Sequence, residues 1–518
     1  MNKPPVIWSV AGTDSGGGAG LSADQRAADA LGVHLCPVVA AVTAQNTVAV
    51  TQVHATPPEQ LDAQLAALAG DLPPRAIKTG LLGSAANAHV LARWVDRLRE
   101  RGPLALVVDP VLRASTGAPF ANAELLAAYR SELLPRATVI TPNQREAQAL
   151  LGTDGQGVPS QAAALRALGA NAVCITGGDA ATPALSQDWL DTPHARGWLA
   201  LPRVDTPHHH GTGCTFASAL AAALALGWVA ADAAVLAKMA TTHALRHARA
   251  VGSGAGPVAA RAGFGTDPTL LPRLSLGAQP VEWRETRRGR DPGLYAIVDS
   301  AERAEAVLRA RPTVDTLQLR MKRPPGIDEA RWSQQLHEAI VRSQRAADAA
   351  GATLVVNDHW HTALQAGARA LHLGQEDLLA LTPEDHAVLQ AARGQGVQLG
   401  LSSHSLWELC RAAALAPDLI ACGPVWPTTT KDMPWHAQGL GNLAWWAHMA
   451  PAPVVGIGGV LAPGQLADVA ATGAAGGCVV RGLGADPALT LPAWRAAWAD
   501  GNTRARTPPP ALPHPTLA

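Results

Sequence analysis

The sequence is poor in cysteine, in net charge and in long apolar runs. Its 518 residues include six cysteines, none of them in a C-x-x-C pair, which excludes a disulfide scaffold and predicts reduced thiols. Lysine plus arginine and aspartate plus glutamate both total 41, so the chain has no overall basic field to gather nucleic acid or anionic lipid. No stretch reaches about 18 uninterrupted apolar residues, so we expect no membrane span.

The first residues lack the features of a secretory signal. Residues 1–5 lead straight into an apolar, strand-like segment, without the order of charged, apolar and small residues that such a signal has. We therefore expect a cytoplasmic protein. The apolar residues that are present make up 48% of the chain, enough to build the cores of about two to four domains.

The pattern of apolar runs divides the chain into two halves. Over residues 1–266, runs such as Val6–Ala11 and Leu104–Val108 alternate with helical Ala/Leu segments, which predicts an α/β domain. The alternation lapses over residues 267–291, which contain a basic cluster and are predicted to form a solvated linker. Residues 501–518 are rich in proline, which supports neither a helix nor a central strand, so a disordered tail is predicted.

The second half, residues 292–500, has a more regular repeat of strands and helices. Its candidate strands lie at 293–298, 314–320, 353–357, 369–373, 398–402, 418–422, 453–457 and 476–480. Eight strands with intervening helices predict a (β/α)8 TIM barrel. In that fold the chemistry gathers at the C-terminal ends of the strands, and phosphate often binds after the last two.

Two glycine-rich segments of the first half are suited to anions. The segment AGTDSGGGAGLSAD follows an apolar strand and leads into a helix; it also matches a dinucleotide pattern, but the expected acidic residue after a second strand is missing. The motif HGTGCT begins a long helix, so Gly211, Thr212 and Gly213 would offer free N–H groups to a transferring phosphoryl group. Cys214 lies in the same field, which favours its thiolate as a base; the alternative is an inert cysteine at a helix start.

Polar side chains follow several strands of the predicted barrel. Arg320 and Lys322 after the second strand indicate a polyanionic ligand. Asp358 and Asp377 follow the third and fourth strands and suit Mg²⁺ shared with a substrate phosphate, although either aspartate alone could be a helix cap. Later strands are followed by further groups suited to phosphate: Thr428, Thr430, Lys431 and the backbone amides of Gly458 and Gly459.

The first half resembles the hydroxymethylpyrimidine and phosphomethylpyrimidine kinases of the ribokinase superfamily. The motifs that carry the resemblance run in the order AGTDSGGGAGLSAD, VTAQNT, IKTGLLGS, VVDPV, TPNQREA, ITGGD, HGTGCT and GSGAGPV. The resemblance implies a ribokinase-like fold in which Cys214 is the catalytic base and Gly12 and Gln45 hold the aminopyrimidine. One departure is Thr176, where the family commonly has lysine.

The same resemblance implies how the first half handles phosphate. Gly211, Thr212 and Gly213 match the anion hole, while Asn143 and Glu146 match an N-x-x-E element that organises magnesium around the phosphates of ATP. The three histidines at 208–210 lead into the anion hole and are not expected to bind metal.

The second half, about 293–485, resembles thiamine phosphate synthase. The resemblance implies that the pyrimidine diphosphate is bound at Gln318, Leu319, Arg320, Met321, Lys322, Asn357, Ser402 and Lys431. It implies a thiazole phosphate site at Thr428, Thr429, Thr430, Gly458, Gly459, Val480 and Arg481, and magnesium ligands at Asp358 and Asp377. Two departures are Met321, where the family usually has an acidic residue, and Arg481, where it usually has serine.

Together the resemblances predict a bifunctional enzyme of thiamine biosynthesis. The first half would phosphorylate hydroxymethylpyrimidine twice with MgATP, and the second would join the diphosphate to thiazole phosphate. A pyridoxal-type kinase fused to an unrelated barrel is one alternative, and a half that only binds ligand is another. The expected partners are small-molecule substrates, without nucleic acid or membrane; both domain types often self-associate, so a homo-oligomer stays open.

Overall fold

The computed structural model describes residues 3–113, 120–178, 184–286, 289–428 and 434–517. The chain folds into two compact units that meet in sequence between Val281 and Glu282. Each unit has its own sheet and its own core. Among the described residues, no helix is long and apolar enough to cross a membrane.

The first unit is built on one sheet, which has ten strands within the described residues. They are β1 (Val6–Thr13), β2 (His34–Gln45), β3 (Val50–Ala55), β4 (Ala76–Thr79), β5 (Ala105–Val108), β6 (Val139–Ile140), β7 (Val173–Ile175), β8 (Leu185–Asp191), β9 (Arg196–Pro202) and β10 (Arg273–Leu274). The spatial order is β10-β9-β8-β7-β6-β5-β4-β1-β2-β3. Along this order the six strands β7-β6-β5-β4-β1-β2 pair in parallel, whereas β3 at one edge and β8, β9 and β10 at the other pair antiparallel.

Helices pack against this sheet and bury its central strands. They are α1 (Gly20–Ala30), α2 (Pro58–Asp71), α3 (Ala85–Arg99), α4 (Ala123–Ala128), α5 (Gln144–Leu151), α6 (Val158–Ala167), α7 (Thr212–Ala225) and α8 (Ala230–Arg246). The middle of β1 is fully buried. A parallel strand that is covered on both faces needs apolar residues at successive positions, which this strand supplies. The predicted α/β architecture of the first half is confirmed.

The second unit is a closed barrel of eight parallel strands within the described residues. They are β11 (Gly293–Val298), β12 (Thr316–Leu319), β13 (Thr353–Asn357), β14 (Ala370–Leu373), β15 (Gln398–Ser403), β16 (Leu419–Cys422), β17 (Val454–Gly456) and β18 (Gly476–Val479). The helices are α9 (Ala301–Arg309), α10 (Glu329–Ala350), α11 (Trp360–Gln365), α12 (Gln375–Ala380), α13 (Pro383–Gly394), α14 (Leu406–Ala414), α15 (Gly439–Met449), α16 (Pro463–Ala471) and α17 (Pro487–Thr503). The predicted barrel is confirmed, with each strand at its expected place.

The helices of the barrel begin at side-chain caps that the sequence supplies. The side chains of Ser300, Asp328 and Ser405 each accept a hydrogen bond from a backbone N–H in the first turn of α9, α10 and α14. These caps satisfy donors that would otherwise lack a partner within the helix. Helix α10 ends at Gly351, whose φ of 70° suits glycine.

The predicted linker is too long. Residues 267–281 belong to the first unit, because β10 pairs antiparallel with β9 and extends its sheet. The backbone N–H of Val281 also donates to the side-chain oxygen of Gln187, at 3.0 Å. A strand of two residues has too little periodicity to be recognised in a sequence.

The prediction of a disordered tail is wrong for the described residues 501–517. Helix α17 continues to Thr503, and the proline-rich residues after it lie against the barrel. The N–H of Thr507 donates to the carbonyl of Ala471 at 2.9 Å, and Thr516 is 1% exposed. Prolines cannot build a helix or a strand ladder, but an extended segment can still be held by its carbonyls and by its other side chains.

Candidate active sites

The carboxylate of Asp14 organises the glycine-rich loop after β1. It accepts hydrogen bonds from the backbone N–H groups of Gly16 (2.8 Å), Gly18 (3.0 Å) and Ala19 (2.8 Å). It also accepts one from Nε2 of His210, at 2.9 Å. Burial alone would raise the pKa of Asp14, but the bonds from His210, Ala19 and Gly16 lower it below its usual value. Asp14 is therefore an ionised anchor of the loop.

Glycines let this loop pack directly against the motif that precedes α7. Gly20 has a φ of 54°, and a Cβ there would lie 2.2 Å from the carbonyl oxygen of Gly12. Gly211 has a φ of 85°, and a Cβ there would lie 2.3 Å from the carbonyl oxygen of Gly18. No side chain fits at Gly20 or Gly211. The backbone of the loop and the backbone of the motif before α7 can therefore both approach the space between these two segments.

That space is a cavity of about 570 Å³ at the C-terminal ends of the parallel strands. All the residues predicted for the kinase site line it: Gly12, Gln45, Asn143, Glu146, Gly211, Thr212, Gly213 and Cys214. Gly213 has open space beside its backbone, and Thr212 begins α7. The N–H groups at this helix start therefore face an accessible region that favours an anion.

The structure differs from the expected state of Cys214. The residue is half-buried, and burial raises the pKa of its thiol to about 12. Lys78 and the backbone of Gly20 lower that pKa, whereas the carboxylates of Asp24 and Asp109 raise it further. Burial, reinforced by the nearby carboxylates, therefore favours the neutral thiol at rest rather than the expected thiolate.

A buried ion group lies beside Cys214 and was not predicted. Lys78 is fully buried, and its Nζ lies 3.0 Å from Oδ1 of Asp24 and 3.5 Å from Oδ2 of Asp109. The hydroxyls of Ser9 (2.6 Å) and Ser218 (2.7 Å) also donate to Asp24. Burial raises the pKa of Asp109 to about 6, against the influence of Lys78. Lys78 stands in the IKTGLLGS motif and Asp109 in the VVDPV motif. The sequence signal that could have indicated this ion group was a charged residue inside an apolar strand.

Asn143 and Glu146 form a reciprocal cap at the start of α5. The side chain of Asn143 accepts from the N–H of Glu146, and the carboxylate of Glu146 accepts from the N–H of Asn143, both at 2.9 Å. This capping box accounts for the N-x-x-E spacing in purely structural terms. Both residues nevertheless line the cavity with Asp109, whose Oδ2 has only the ion pair with Lys78 and no hydrogen bond within the described part of the chain. These oxygens fit a hard divalent cation.

The three consecutive histidines have separate contacts. His210 binds Asp14, and Nδ1 of His208 accepts from the N–H of Gly256 at 3.1 Å. His209 is exposed and lines the cavity. Over residues 3–113, 120–178, 184–286, 289–428 and 434–517, no group of three or more His, Cys, Asp or Glu is placed to hold a metal by itself.

The barrel has a second cavity, of about 530 Å³, at the C-terminal ends of its strands. Two buried amides form part of its wall. Nε2 of Gln318 donates to Oδ1 of Asn357, and the hydroxyl of Tyr295 donates to Oε1 of Gln318 at 2.7 Å. These bonds fix the orientation of both amides in neighbouring strands.

Two carboxylates lie next to each other in this cavity. Asp358 follows β13 with a φ of 64°, and Asp377 caps α12 by accepting the N–H of Gly374 at 3.0 Å. Burial and the neighbouring charge of Asp377 raise the pKa of Asp358, and Arg320 and His359 oppose this. Two adjacent carboxylates fit a divalent cation between them, because the cation would offset their like charges.

His372 was not predicted as a site residue, although it lines the cavity. It is buried in β14, where its Nε2 lies 2.9 Å from the hydroxyl of Ser402. Burial lowers the pKa of His372 to about 4, so the ring is neutral. Its Nδ1 has no partner among the described residues. The sequence signal that could have identified His372 was a polar residue within the apolar run ALHL.

The structure sorts the residues predicted for the synthase site into three groups. Those that line the cavity are Gln318, Arg320, Asn357, Asp358, Asp377, Ser402, Thr428, Gly458, Gly459, Val480 and Arg481. Leu319, Met321 and Lys322 do not line it. Thr429, Thr430 and Lys431 lie outside the described residues.

The side chain of Leu319 lies outside the cavity. Successive residues of a strand point to opposite faces, so Gln318 enters the barrel and Leu319 is buried behind it. Lys322 is exposed and Met321 is half-buried beyond the strand end; the carbonyl of Met321 lies 3.1 Å from Nε2 of His359. Neither of these two side chains reaches the cavity.

Comparison with known proteins matches the two halves of the chain to two known families. A family model described as "Phosphomethylpyrimidine kinase" matches residues 14–259, and one described as "Thiamine monophosphate synthase" matches residues 294–483. A protein of Arabidopsis thaliana named "Thiamine biosynthetic bifunctional enzyme TH1, chloroplastic" is 34% identical over 484 residues, which cover 89% of this chain and 86% of that protein. The chain belongs to the bifunctional thiamine biosynthetic enzymes.

Relatives of the kinase half alone are also found. A hydroxymethylpyrimidine/phosphomethylpyrimidine kinase of Synechococcus elongatus is 42% identical over 257 residues, covering 49% of this chain and 96% of the relative. The crystal structure of an ADP complex of Bacillus subtilis pyridoxal kinase is 30% identical, with a TM-score of 0.46 and coverage of 49% of this chain and 97% of that one.

The predicted fusion is confirmed. This bifunctional thiamine biosynthetic enzyme has a ribokinase-like hydroxymethylpyrimidine/phosphomethylpyrimidine kinase domain and a barrel that is a thiamine phosphate synthase domain.

Proposed function

We propose that the two cavities catalyse successive steps on one pyrimidine. The first transfers phosphoryl groups from ATP to 4-amino-5-hydroxymethyl-2-methylpyrimidine and then to its monophosphate. The second joins the diphosphate to 4-methyl-5-(2-phosphooxyethyl)thiazole and releases pyrophosphate. The observation that carries this proposal is that each unit gathers candidate residues, from loops distant in sequence, around one polar cavity at its strand ends.

In the kinase cavity, we assign substrate orientation to Gln45 and charge stabilisation to the start of α7. The amide of Gln45 can both donate to and accept from an aminopyrimidine. The N–H groups at Gly211–Gly213 would stabilise the negative charge on the transferring phosphoryl group. Cys214, next in the chain, would accept the proton of the substrate hydroxyl in its thiolate form.

The phosphates of ATP need further positive charge. Asn143 and Glu146 would hold a Mg²⁺ ion that neutralises them, as their oxygen ligands allow. Thr176, whose N–H donates to the carbonyl of Pro142 at 2.9 Å, supplies no charge where the family commonly has lysine. Arg113 and Arg145 are exposed and line the same cavity, so we assign them the missing positive charge.

In the barrel, the amide pair of Gln318 and Asn357 would orient the aminopyrimidine ring. Arg320 would stabilise the charge on the departing pyrophosphate, whose loss leaves a methylene cation stabilised by the electron-rich ring. The thiazole nitrogen would then attack that carbon. Asp358 and Asp377 would hold a Mg²⁺ ion that offsets the charge of the diphosphate.

The thiazole phosphate would lie at the other side of the cavity. Gly458 and Gly459 have φ values of 93° and 74°, and a Cβ on either would lie within 2.7 Å of Pro424 or Trp426. Only glycine fits this turn, which brings backbone N–H groups to the cavity wall. Arg481 would add a charged hydrogen bond where the family usually has serine.

The experiment that tests the proposal supplies the purified full chain with hydroxymethylpyrimidine and MgATP, and separately with the pyrimidine diphosphate and thiazole phosphate. We expect pyrimidine phosphates in the first reaction and thiamine phosphate in the second. The absence of product from either reaction would contradict the assignment of that domain. A homo-oligomer and a cytoplasmic location stay predictions, which light scattering and cell fractionation would test.

A further inference from the structure

A loop of the barrel brings an aromatic pair to the wall of the synthase cavity. Trp435 lies in the loop between β16 and α15, and both Trp435 and His404 line the cavity. Their rings are stacked, with centroids 5.5 Å apart and planes 10° apart. Nδ1 of His404 lies 2.8 Å from the carboxylate of Glu408, which fixes the imidazole from its other side.

The segment 513–516, which we call the latch, holds the backbone on both sides of this pair. The N–H of His436 donates to the carbonyl of Thr516 at 2.8 Å. The hydroxyl of Thr516 donates to the carbonyl of His404 at 2.7 Å. Thr516 is 1% exposed, so water does not compete for these bonds. One residue thus connects the backbone of His404 to the loop that carries Trp435.

His514 and Gln438 complete the connection. The N–H of His514 donates to the side-chain oxygen of Asn442 at 2.8 Å, and its Nε2 lies 2.9 Å from the carbonyl of Gln438. Nε2 of Gln438 in turn donates to the carbonyl of His404, at 2.7 Å. The latch therefore contacts the loop at His436 and Gln438, and helix α15 at Asn442.

We propose that the latch is a positioning element for the synthase reaction: Thr516 holds Trp435 and His404 as a flat aromatic wall for a heteroaromatic substrate. Both substrates of the proposed reaction carry such a ring, and a planar side chain offers it dispersion contact without rearrangement. The inference rests on the proposed synthase function. It adds a role for residues that lie about 80 positions beyond the loop in the chain.

The chain offers a matched pair of threonines for the test. The hydroxyl of Thr503 donates to the carbonyl of Asp500 at 2.7 Å, the same kind of bond as that of Thr516, but it is exposed at the end of α17. We would compare Thr516→Val, Thr516→Ser and Thr503→Val in the full chain. The synthase kcat and both KM values would be measured, with the kinase rate of the same preparation as an internal control.

We expect Thr516→Val to raise KM for the ring substrates by about five- to tenfold, because the carbonyl of His404 loses one of its two donors and keeps only Gln438. Thr516→Ser should restore the wild-type KM, and Thr503→Val should match the wild type. Unchanged KM values in Thr516→Val, or an equal effect in Thr503→Val, would overturn the proposal. A wild-type chain that makes no thiamine phosphate would instead contradict the proposed function.

Hydrogen exchange tests the latch without any turnover. Amides of residues 436–442 should exchange faster in Thr516→Val than in the wild type or Thr503→Val. Unchanged exchange over this segment would overturn the positioning role even if the variant lost activity.

Discussion

Replacing Lys78 with methionine would leave two aspartates in the kinase core without their cation. Lys78 is fully buried, and its Nζ contacts both oxygens of Asp24, at 3.0 and 3.2 Å, as well as Asp109 at 3.5 Å. Removing one member of a buried ion group costs about 3–5 kcal/mol, because the remaining carboxylates lose their opposite charge and stay buried away from water. For a domain of this size, that loss corresponds to about 6–20 °C in the midpoint of thermal unfolding.

The assay is denaturant unfolding of the full chain, followed at pH 8 and pH 5. Lys322→Met removes an exposed lysine and should leave stability unchanged. The loss in Lys78→Met should be smaller at pH 5, because the buried carboxyl groups can then take up a proton. Asp24→Asn combined with Lys78→Met should be less destabilising than Lys78→Met alone. A loss below about 1 kcal/mol in Lys78→Met would refute the view that this ion group is a coupled unit.

Two further predictions follow from the shifted titrations. Burial raises the pKa of Cys214 to about 12. If the thiolate of Cys214 is the base, the kinase kcat/KM should rise about tenfold per pH unit between pH 7 and 9. A flat pH profile would exclude Cys214 from that role. Burial lowers the pKa of His372 from 6.5 to about 4. As the pH drops, the unfolded chain therefore binds the proton at this histidine before the folded chain does. The stability of the barrel should fall by about 3 kcal/mol between pH 6.5 and pH 4. His372→Gln should show a shallower acid loss in denaturant unfolding, and an equally steep one would contradict this cause.

The fold was predictable from the sequence where local pattern and tertiary burial agree. The eight barrel strands are short apolar runs, because parallel strands covered on both faces need apolar residues throughout. The glycine-rich loop and the start of α7 were recognisable because close backbone contact requires glycine at Gly20 and Gly211.

Features that depend on distant partners were not predictable. The pairing of Lys78 with Asp24 joins residues 54 positions apart, and local periodicity carries no trace of it. The latch is held by carbonyls and side chains of other loops, so its prolines suggested disorder. The resting state of Cys214 depends first on its burial and then on Asp24 and Asp109, which only the fold brings near α7. Leu319 lies outside the cavity because successive residues of β12 point to opposite faces, so only alternate residues of the motif enter the barrel.

The most direct test of the central claim is a one-pot reaction of the full chain with hydroxymethylpyrimidine, thiazole phosphate and MgATP, in which thiamine phosphate is measured. The wild type should form it, while Cys214→Ala and Asp358→Ala should not. Added pyrimidine diphosphate should restore the product in Cys214→Ala but not in Asp358→Ala. No product from the wild type even when the diphosphate is supplied would contradict the account, because the barrel would then bind ligand without catalysing the condensation.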